Sequence, residues 1–242
     1  IEQDDKVKAF ICTKDLKDED YINKHYVIMA TKKGQVKKTS LEQYSRPRIN
    51  GINAITIKDG DELLEAKLTD GNNQVMLALK SGKAIRFEEA KTRPMGRNAS
   101  GVRGIRLQND KDEVIGMVAV SDMESNILVV SSNGYGKRSK LEDYRLTNRG
   151  GKGVKTISIT SKTGDLVAIK NVDDSNGLMI INKSGIAIRM AVENLRVMGR
   201  ATQGVKLINI KEGDSIAAVA KVVHEDDNEP EDVSEETQEL NK

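Results

Sequence analysis

Glycine recurs through this chain on a schedule of about fifty residues, and that repeat limits the available folds more than any other feature. Four turn-like stretches read KKGQVKK, KSGKAIR, SNGYGKR and KSGIAIR, with glycines at Gly34, Gly82, Gly134 and Gly185, spaced by 48, 52 and 51 residues. A second series, Gly51, Gly101, Gly153 and Gly204, follows the first by 17, 19, 19 and 19 residues. A period of this length means one supersecondary unit copied several times, each copy needing its neighbours to bury its apolar faces.

Within each unit the periodicity is that of strands. Short apolar runs over residues 27–30, 75–79, 127–130 and 178–181 lead into the first glycine, the pattern of a buried central strand ending in a tight turn. After the second glycine, GINAITI, GVRGIRL, GVKTISI and GVKLINI carry apolar side chains one, four and six residues on, and the end of that stretch reads as a half-buried strand. A further strand, VKAFICT, LLEAKLT, VIGMVAV or LVAIKNV, opens each unit. The expectation is an all-β, propeller-like array of four-stranded blades, with repeat units over about 4–57, 60–107, 112–159 and 164–210 and a closing strand over 215–223. Ile1 stands in the register of Ile57, Leu107, Ile159 and Ile210, each the last strand residue of a unit, so about four complete blades are expected here and more upstream.

Composition narrows the chemistry. With no Trp, two Phe and five Tyr the core has to be aliphatic, and Tyr44, Tyr135 and Tyr144 read as packing residues. Cys12 is the only cysteine and reads as a small apolar side chain in a strand. With His25 and His224 as the only histidines, no set of residues suits a structural metal, and no catalytic triad or cofactor loop is visible. No apolar run approaches the length of a membrane span, and a signal peptide is not recognisable, so a cytoplasmic location is expected.

The net charge of +2 conceals an asymmetry. Nine acidic residues between Glu225 and Glu239, against Lys242 alone, give residues 224–242 a charge of −8 and leave residues 1–223 at +10. The tail, with a proline and no apolar pattern, reads as disordered; the basic body asks for a polyanionic partner.

The bases keep register with the glycines. Four residues beyond each turn glycine stand Lys38, Arg86, Arg138 and Arg189. In three units a small residue, Ala84, Gly136 or Ala187, precedes the base by two, which predicts room for its stem to project. Four residues before the second glycine come Pro47, flanked by Arg46 and Arg48, then Arg97, Arg149 and Arg200; two residues after it come Asn53, Arg103, Lys155 and Lys206. Such repetition predicts a basic rim. Residues 147–157, TNRGGKGVKTI, superficially suggest a phosphate-cradling nucleotide loop, but Gly153 follows the lysine where a hydroxyl is needed, and Leu146 replaces the first glycine. Glycine loops and guanidinium groups also suit the phosphate row of duplex DNA. Few aromatics lie among the bases and no recognition helix is visible, which argues against single-strand stacking and against sequence readout.

These features together, NGYGKRSKLEDY, the loop NRGGKGV and the recurring GV-basic strand, resemble the C-terminal domain of the DNA gyrase A protein over residues 1–223. The resemblance implies a β-pinwheel, a disc of blades with a strand exchanged between neighbours, that wraps duplex DNA on a basic rim for ATP-dependent negative supercoiling. It implies no catalysis by this domain alone, and as partners the remainder of the gyrase A protein and, through it, the gyrase B protein, at the nucleoid. The family's signature loop, the GyrA box Q-R-R-G-G-K-G, is matched at Arg149, Gly150, Gly151, Lys152 and Gly153, while Thr147 and Asn148 depart from it. The related C-terminal domain of topoisomerase IV and, from a different class, a protein-binding propeller are the alternatives.

Overall fold

The computed structural model describes residues 6–223. The acidic tail expected over 224–242 and the register of Ile1 lie outside the described residues.

Each apolar run does form a central strand. Tyr26–Thr31 (β1) turns at Gly34 into Gln35–Ser40 (β2), and Leu63–Thr69 (β3) pairs antiparallel with the other side of β1. The same plan recurs as Gln74–Leu79 (β4), Lys83–Glu88 (β5) and Val114–Val120 (β7), and as Asn126–Ser131 (β8), Tyr135–Lys140 (β9) and Leu166–Val172 (β11). It ends with Asn176–Asn182 (β12), Ala187–Ala191 (β13) and Ile216–Val223 (β15). Three two-residue strands complete the earlier blades: Val102–Arg103 (β6) pairs with β2, Val154–Lys155 (β10) with β5 and Val205–Lys206 (β14) with β9. The sheet orders β3-β1-β2-β6, β10-β5-β4-β7, β11-β8-β9-β14 and β13-β12-β15 describe four blades, each of the first three receiving its fourth strand from the next repeat.

Blades and sequence repeats are therefore out of phase. LLEAKLT, VIGMVAV and LVAIKNV do not open the unit they begin in sequence; each is the inner strand of the blade before. Strand β15, expected as a closing strand, is the ordinary inner strand of blade four. That blade has three strands among the described residues, not four. The first copy, VKAFICT, is not a strand: no central strand precedes residues 7–13 among the described residues for them to pair with. Cys12 is accordingly exposed and outside any strand, contrary to its sequence reading. The half-buried strand expected at the end of the stretch after each second glycine does not form: the two-residue strands β6, β10 and β14 lie at its start, directly after Gly101, Gly153 and Gly204, and none follows Gly51. Beyond them Gly104, Thr156 and Leu207 donate across the neighbouring hairpin turn to the carbonyls of Gly34, Gly82 and Gly134, each at 2.8 Å.

Central strands are apolar on both sides because both sides are covered. Ile28 and Ala30 of blade one pack with Leu77, Phe87 and Ile105, whereas Val27 and Met29 face a cluster with Ile22, Leu41 and Ala66. Met76 and Ala78 meet Ile127, Val129 and Tyr144 at the second boundary, and Leu128 and Val130 meet Leu178 and Ile180 at the third. Three of these cores thus lie between blades, and that of Val27 and Met29 lies against Glu19–Lys24 and the segment before it, so alternate residues of one strand belong to different cores. Tyr144 is fully buried with its hydroxyl 2.5 Å from Thr156 Oγ1, and Tyr44 donates to the Ala54 carbonyl at 3.1 Å. One short helix, Glu19–Lys24 (α1), was not legible in the sequence; Asp18 caps it by accepting from the Tyr21 amide.

Candidate nucleic-acid interface

The loops that carry the second glycine series ride on the outer edge of the blade before. Each is anchored through the backbone: the amides of Met95, Thr147 and Met198 donate to the carbonyls of Lys38, Arg86 and Arg138 at 2.7, 3.0 and 2.9 Å. The chain then turns back through a glycine with positive φ, at Gly101, Gly153 or Gly204. A Cβ on these glycines would lie 2.6, 2.6 and 2.4 Å from the carbonyl oxygens of Val36, Ala84 and Gly136, so glycine is required on two counts. Gly51 shares the φ, but a Cβ there would meet nothing within 4 Å, no blade preceding it among the described residues.

The bases four residues past the turn do not project. Lys38 and Arg138 are only 4% and 6% exposed, and Arg86 is half-buried. Lys38 Nζ lies 3.1 Å from Glu89 Oε1 and 4.2 Å from the Tyr26 ring centre. Arg86 donates from Nε to Gln74 Oε1 at 2.6 Å and from Nη1 to the carbonyls of Leu141 and Tyr144 at 2.8 and 2.9 Å. Arg138 bonds the Leu195 carbonyl, the Asp174 carboxylate and, at 3.4 Å, the Glu193 carbonyl. In each case the side chain reaches into the 3-10 turn of the following repeat. The small residue two positions earlier makes room for the incoming strand, not for a free stem: a Cβ on Gly136 would sit 2.5 Å from Leu207. Arg189, at the same register in blade four, is exposed and also makes an interaction.

The other bases lie on the outer edge. Arg97, Arg149 and Arg200 are half-buried and stitch neighbouring repeats, their Nη1 atoms donating to the carbonyls of Asn53, Arg103 and Lys155 at 3.4, 3.1 and 2.8 Å. Arg149 and Arg200 add Nε bonds of 3.0 Å to the carbonyls of Lys91 and Asp143. Each stitch brings a guanidinium to the backbone of residue 53, 103 or 155; the bases at the last two, Arg103 and Lys155, are exposed, as are Lys206, Lys152, Arg46 and Arg48. The matching loop residues thus form one row running from repeat to repeat.

In the box-like loop, Gly150 (φ 80°) donates to Gly104 O at 2.6 Å and Gly151 O accepts from the Arg106 amide at 2.8 Å. Beneath it lies a cleft of about 120 Å³, lined by Arg86, Arg145, Thr147, Asn148 and Lys152 among others. The equivalent loops rest on buried ammonium groups instead. Lys37 Nζ donates to the carbonyls of Ala54 (2.5 Å) and Arg97, and Lys137 Nζ to that of Gly199 (2.5 Å). Burial pulls both down to about 8, with nearby Arg97 adding at Lys37; at Lys137, Asp143 opposes the shift and Arg200 adds to it. Ile85 takes this position under Gly151.

Sequence reasoning missed Arg93, Arg145 and Arg196, all exposed, each one residue before the loop residue that bridges to the previous blade. They share a register, eleven residues past the turn glycine, which was open to inspection; the first repeat breaks it with Ser45. Among the described residues no group of three His, Cys, Asp or Glu side chains is positioned to hold a metal ion, and no helix is long and apolar enough to cross a membrane.

An arc of strand-exchanging blades with guanidinium-stitched, base-rich loops along its outer edge defines a propeller-type module. The family model for the DNA gyrase C-terminal domain, beta-propeller, matches residues 25–70, 74–121, 125–173 and 178–222, and the chain belongs to that family. These four segments coincide with the blades and not with the sequence repeats. The DNA gyrase A protein of Staphylococcus epidermidis is 43% identical over 94% of this chain, and that of Chlamydia muridarum 46% over 81%. The chain spans about a quarter of the length of these relatives, 25% and 24%. Among solved structures, a C-terminal domain of DNA topoisomerase IV superposes with a TM-score of 0.78 at 24% identity, covering 83% of this chain and 62% of that one. A DNA gyrase A C-terminal domain gives 0.74 at 23%, covering 83% and 67%. The fold is the β-pinwheel.

Proposed function

We propose that this chain binds and bends duplex DNA along its outer edge, through phosphates and without sequence preference, as the wrapping domain of a gyrase A protein. In that reading it catalyses nothing itself and serves ATP-dependent negative supercoiling by the enzyme, in contact with the rest of the gyrase A protein and through it the gyrase B protein, at the cytoplasmic nucleoid. Relatives named as gyrase A proteins at 43–46% identity support gyrase over topoisomerase IV. The observation that carries the proposal is the row itself: bases at matching positions in successive repeats, linked by the Arg149 and Arg200 stitches, which suits the repeated charges of a phosphate backbone. Arg46, Arg48, Arg93, Arg103, Arg145, Lys152, Lys155, Arg196 and Lys206 are the contacts, with Arg97, Arg149 and Arg200 orienting the loops. Lys38, Arg86 and Arg138 hold blades together instead, and Arg189 lies at the arc's last blade.

The test is fluorescence anisotropy with a labelled random-sequence duplex across a salt series. If each of four repeats neutralises about two phosphates, the slope of log K against log salt is about −7, at roughly −0.9 per phosphate. A slope near zero, or affinity that depends on sequence, defeats the proposal.

A further inference from the structure

A second concentration of positive charge lies far from the outer edge. The inner strands β3, β7, β11 and β15 pack side by side in succession, and between them is a cavity of about 430 Å³. Lys67, Lys170 and Lys221 line it, with Val118, Val219 and Asn171. Lys67 and Lys170 are structural equivalents: they stand opposite Ile28 and Leu128 of their central strands, as Val118 stands opposite Met76. Lys221 stands opposite Leu178, which faces back towards blade three.

Their charge is largely uncompensated. Lys67 pairs with Glu65 at 2.8 Å, and Glu65 also accepts from the Met117 amide at 2.9 Å. Neither Lys170 nor Lys221 has an ion-pair partner among the described residues. The carboxylate that feels Lys221, Asp173, is already engaged by the amide and hydroxyl of Ser175. Asn171 Oδ1 is buried with no hydrogen-bond partner. Since an amide can present either end, a ligand oxygen facing Asn171 would give it a partner.

We propose that this inner cavity binds a small polyphosphate through its phosphate-anhydride chain. Two unpaired ammonium groups, with a third beside them, favour a compact polyvalent anion. Ammonium groups bind phosphate as point charges, so the charge density of the anion, and not a planar fork, sets the preference here. The site is separate from the DNA edge and does not depend on the DNA reading.

Isothermal titration calorimetry of the whole chain with sodium tripolyphosphate, and separately with ATP, at fixed ionic strength tests it. Saturable binding is expected, weakened at least about tenfold by Lys170→Gln with Lys221→Gln, since two neutralised charges remove the main attraction. Glu65→Gln keeps an acceptor for the Met117 amide, frees Lys67 and should tighten binding several-fold. The edge variant Arg103→Gln, Lys155→Gln, Lys206→Gln should bind as the parent does. Equal affinity for the two anions assigns recognition to the phosphate chain, and tighter ATP adds the nucleoside; either supports the site. No heat with the parent chain, undiminished binding by the inner variant, weaker binding by Glu65→Gln, or an equal loss in the edge variant overturns it.

Discussion

Lys38 of blade one and Glu89 of the next repeat form a buried ion pair, 3.1 Å apart with Glu89 wholly inaccessible, at the boundary that Arg86 and Arg138 bridge elsewhere through backbone carbonyls. The exchange follows from reach. A lysine is shorter and lacks the fork that spans two carbonyls, and Glu89 stands where the later repeats have Leu141 and Val192, bringing an acceptor to it.

Removing one partner leaves the other charge buried. Lys38→Met should therefore destabilise the chain by about 3–5 kcal/mol, whereas adding Glu89→Leu, the residue of the third repeat, should recover part of the loss. Recovery is partial because Glu89 also accepts from Thr69 Oγ1 at 2.7 Å. Urea unfolding measures both. DNA affinity of the folded double variant should match that of the parent; a fall in all sequences alike would return Lys38 to the binding surface.

Gly153 and Gly51 have the same backbone sign but different surroundings. Alanine at Gly51 meets only the left-handed conformation, at a cost of about 1–2 kcal/mol. At Gly153 it also strikes the Ala84 carbonyl, so the loop has to leave the preceding blade. Gly153→Ala should lower the thermal midpoint clearly more than Gly51→Ala. Equal shifts would show that the loop's close approach is not what selects glycine.

Arg149 and Lys152 should separate bending from binding. Lys152 is exposed, and Lys152→Gln should weaken DNA affinity modestly with bending at saturation intact. Arg149 holds the carbonyls of Lys91 and Arg103, so Arg149→Ala should loosen the path between two repeats and reduce bending more than affinity. Bending a short duplex costs on the order of 1–6 kcal/mol, which demands contacts held at fixed spacing. Energy transfer between the ends of a labelled duplex reads this directly. Full bending by Arg149→Ala would reduce the stitch to one more contact.

Lys37 and Lys137 set a pH signature. Each loses its proton at about 8 in the fold against 10.5 when free, so between those values the unfolded chain binds more protons. Stability contributed by these groups is therefore lost as pH falls towards 8 and regained as it rises towards 10.5. Tyr44 and Tyr144, whose hydroxyls burial pushes up, act in the opposite sense above their ordinary value of 10. The urea midpoint should rise from about pH 8 to about pH 10, and Lys37→Met with Lys137→Met should flatten the rise. The same rise in the double variant would assign it to other groups.

The spacing of glycines and apolar runs was enough to specify an all-β repeat, because turn geometry and two-sided burial leave a local imprint: Gly34 needs its φ, and Val27 to Ala30 need apolar partners on both faces. Local pattern also marked Arg103, Lys155 and Lys206 as recurring bases. It did not reveal which blade a strand joins. LLEAKLT pairs with β1 and Val102–Arg103 with β2 through hydrogen bonds between repeats, and a backbone bond carries no side-chain signature of its partner. For the same reason Lys38, Arg86 and Arg138 read as a projecting rim. A long cationic side chain is written identically whether its end meets water or the carbonyls of Leu141 and Leu195, and only the docking of one repeat on the next decides which.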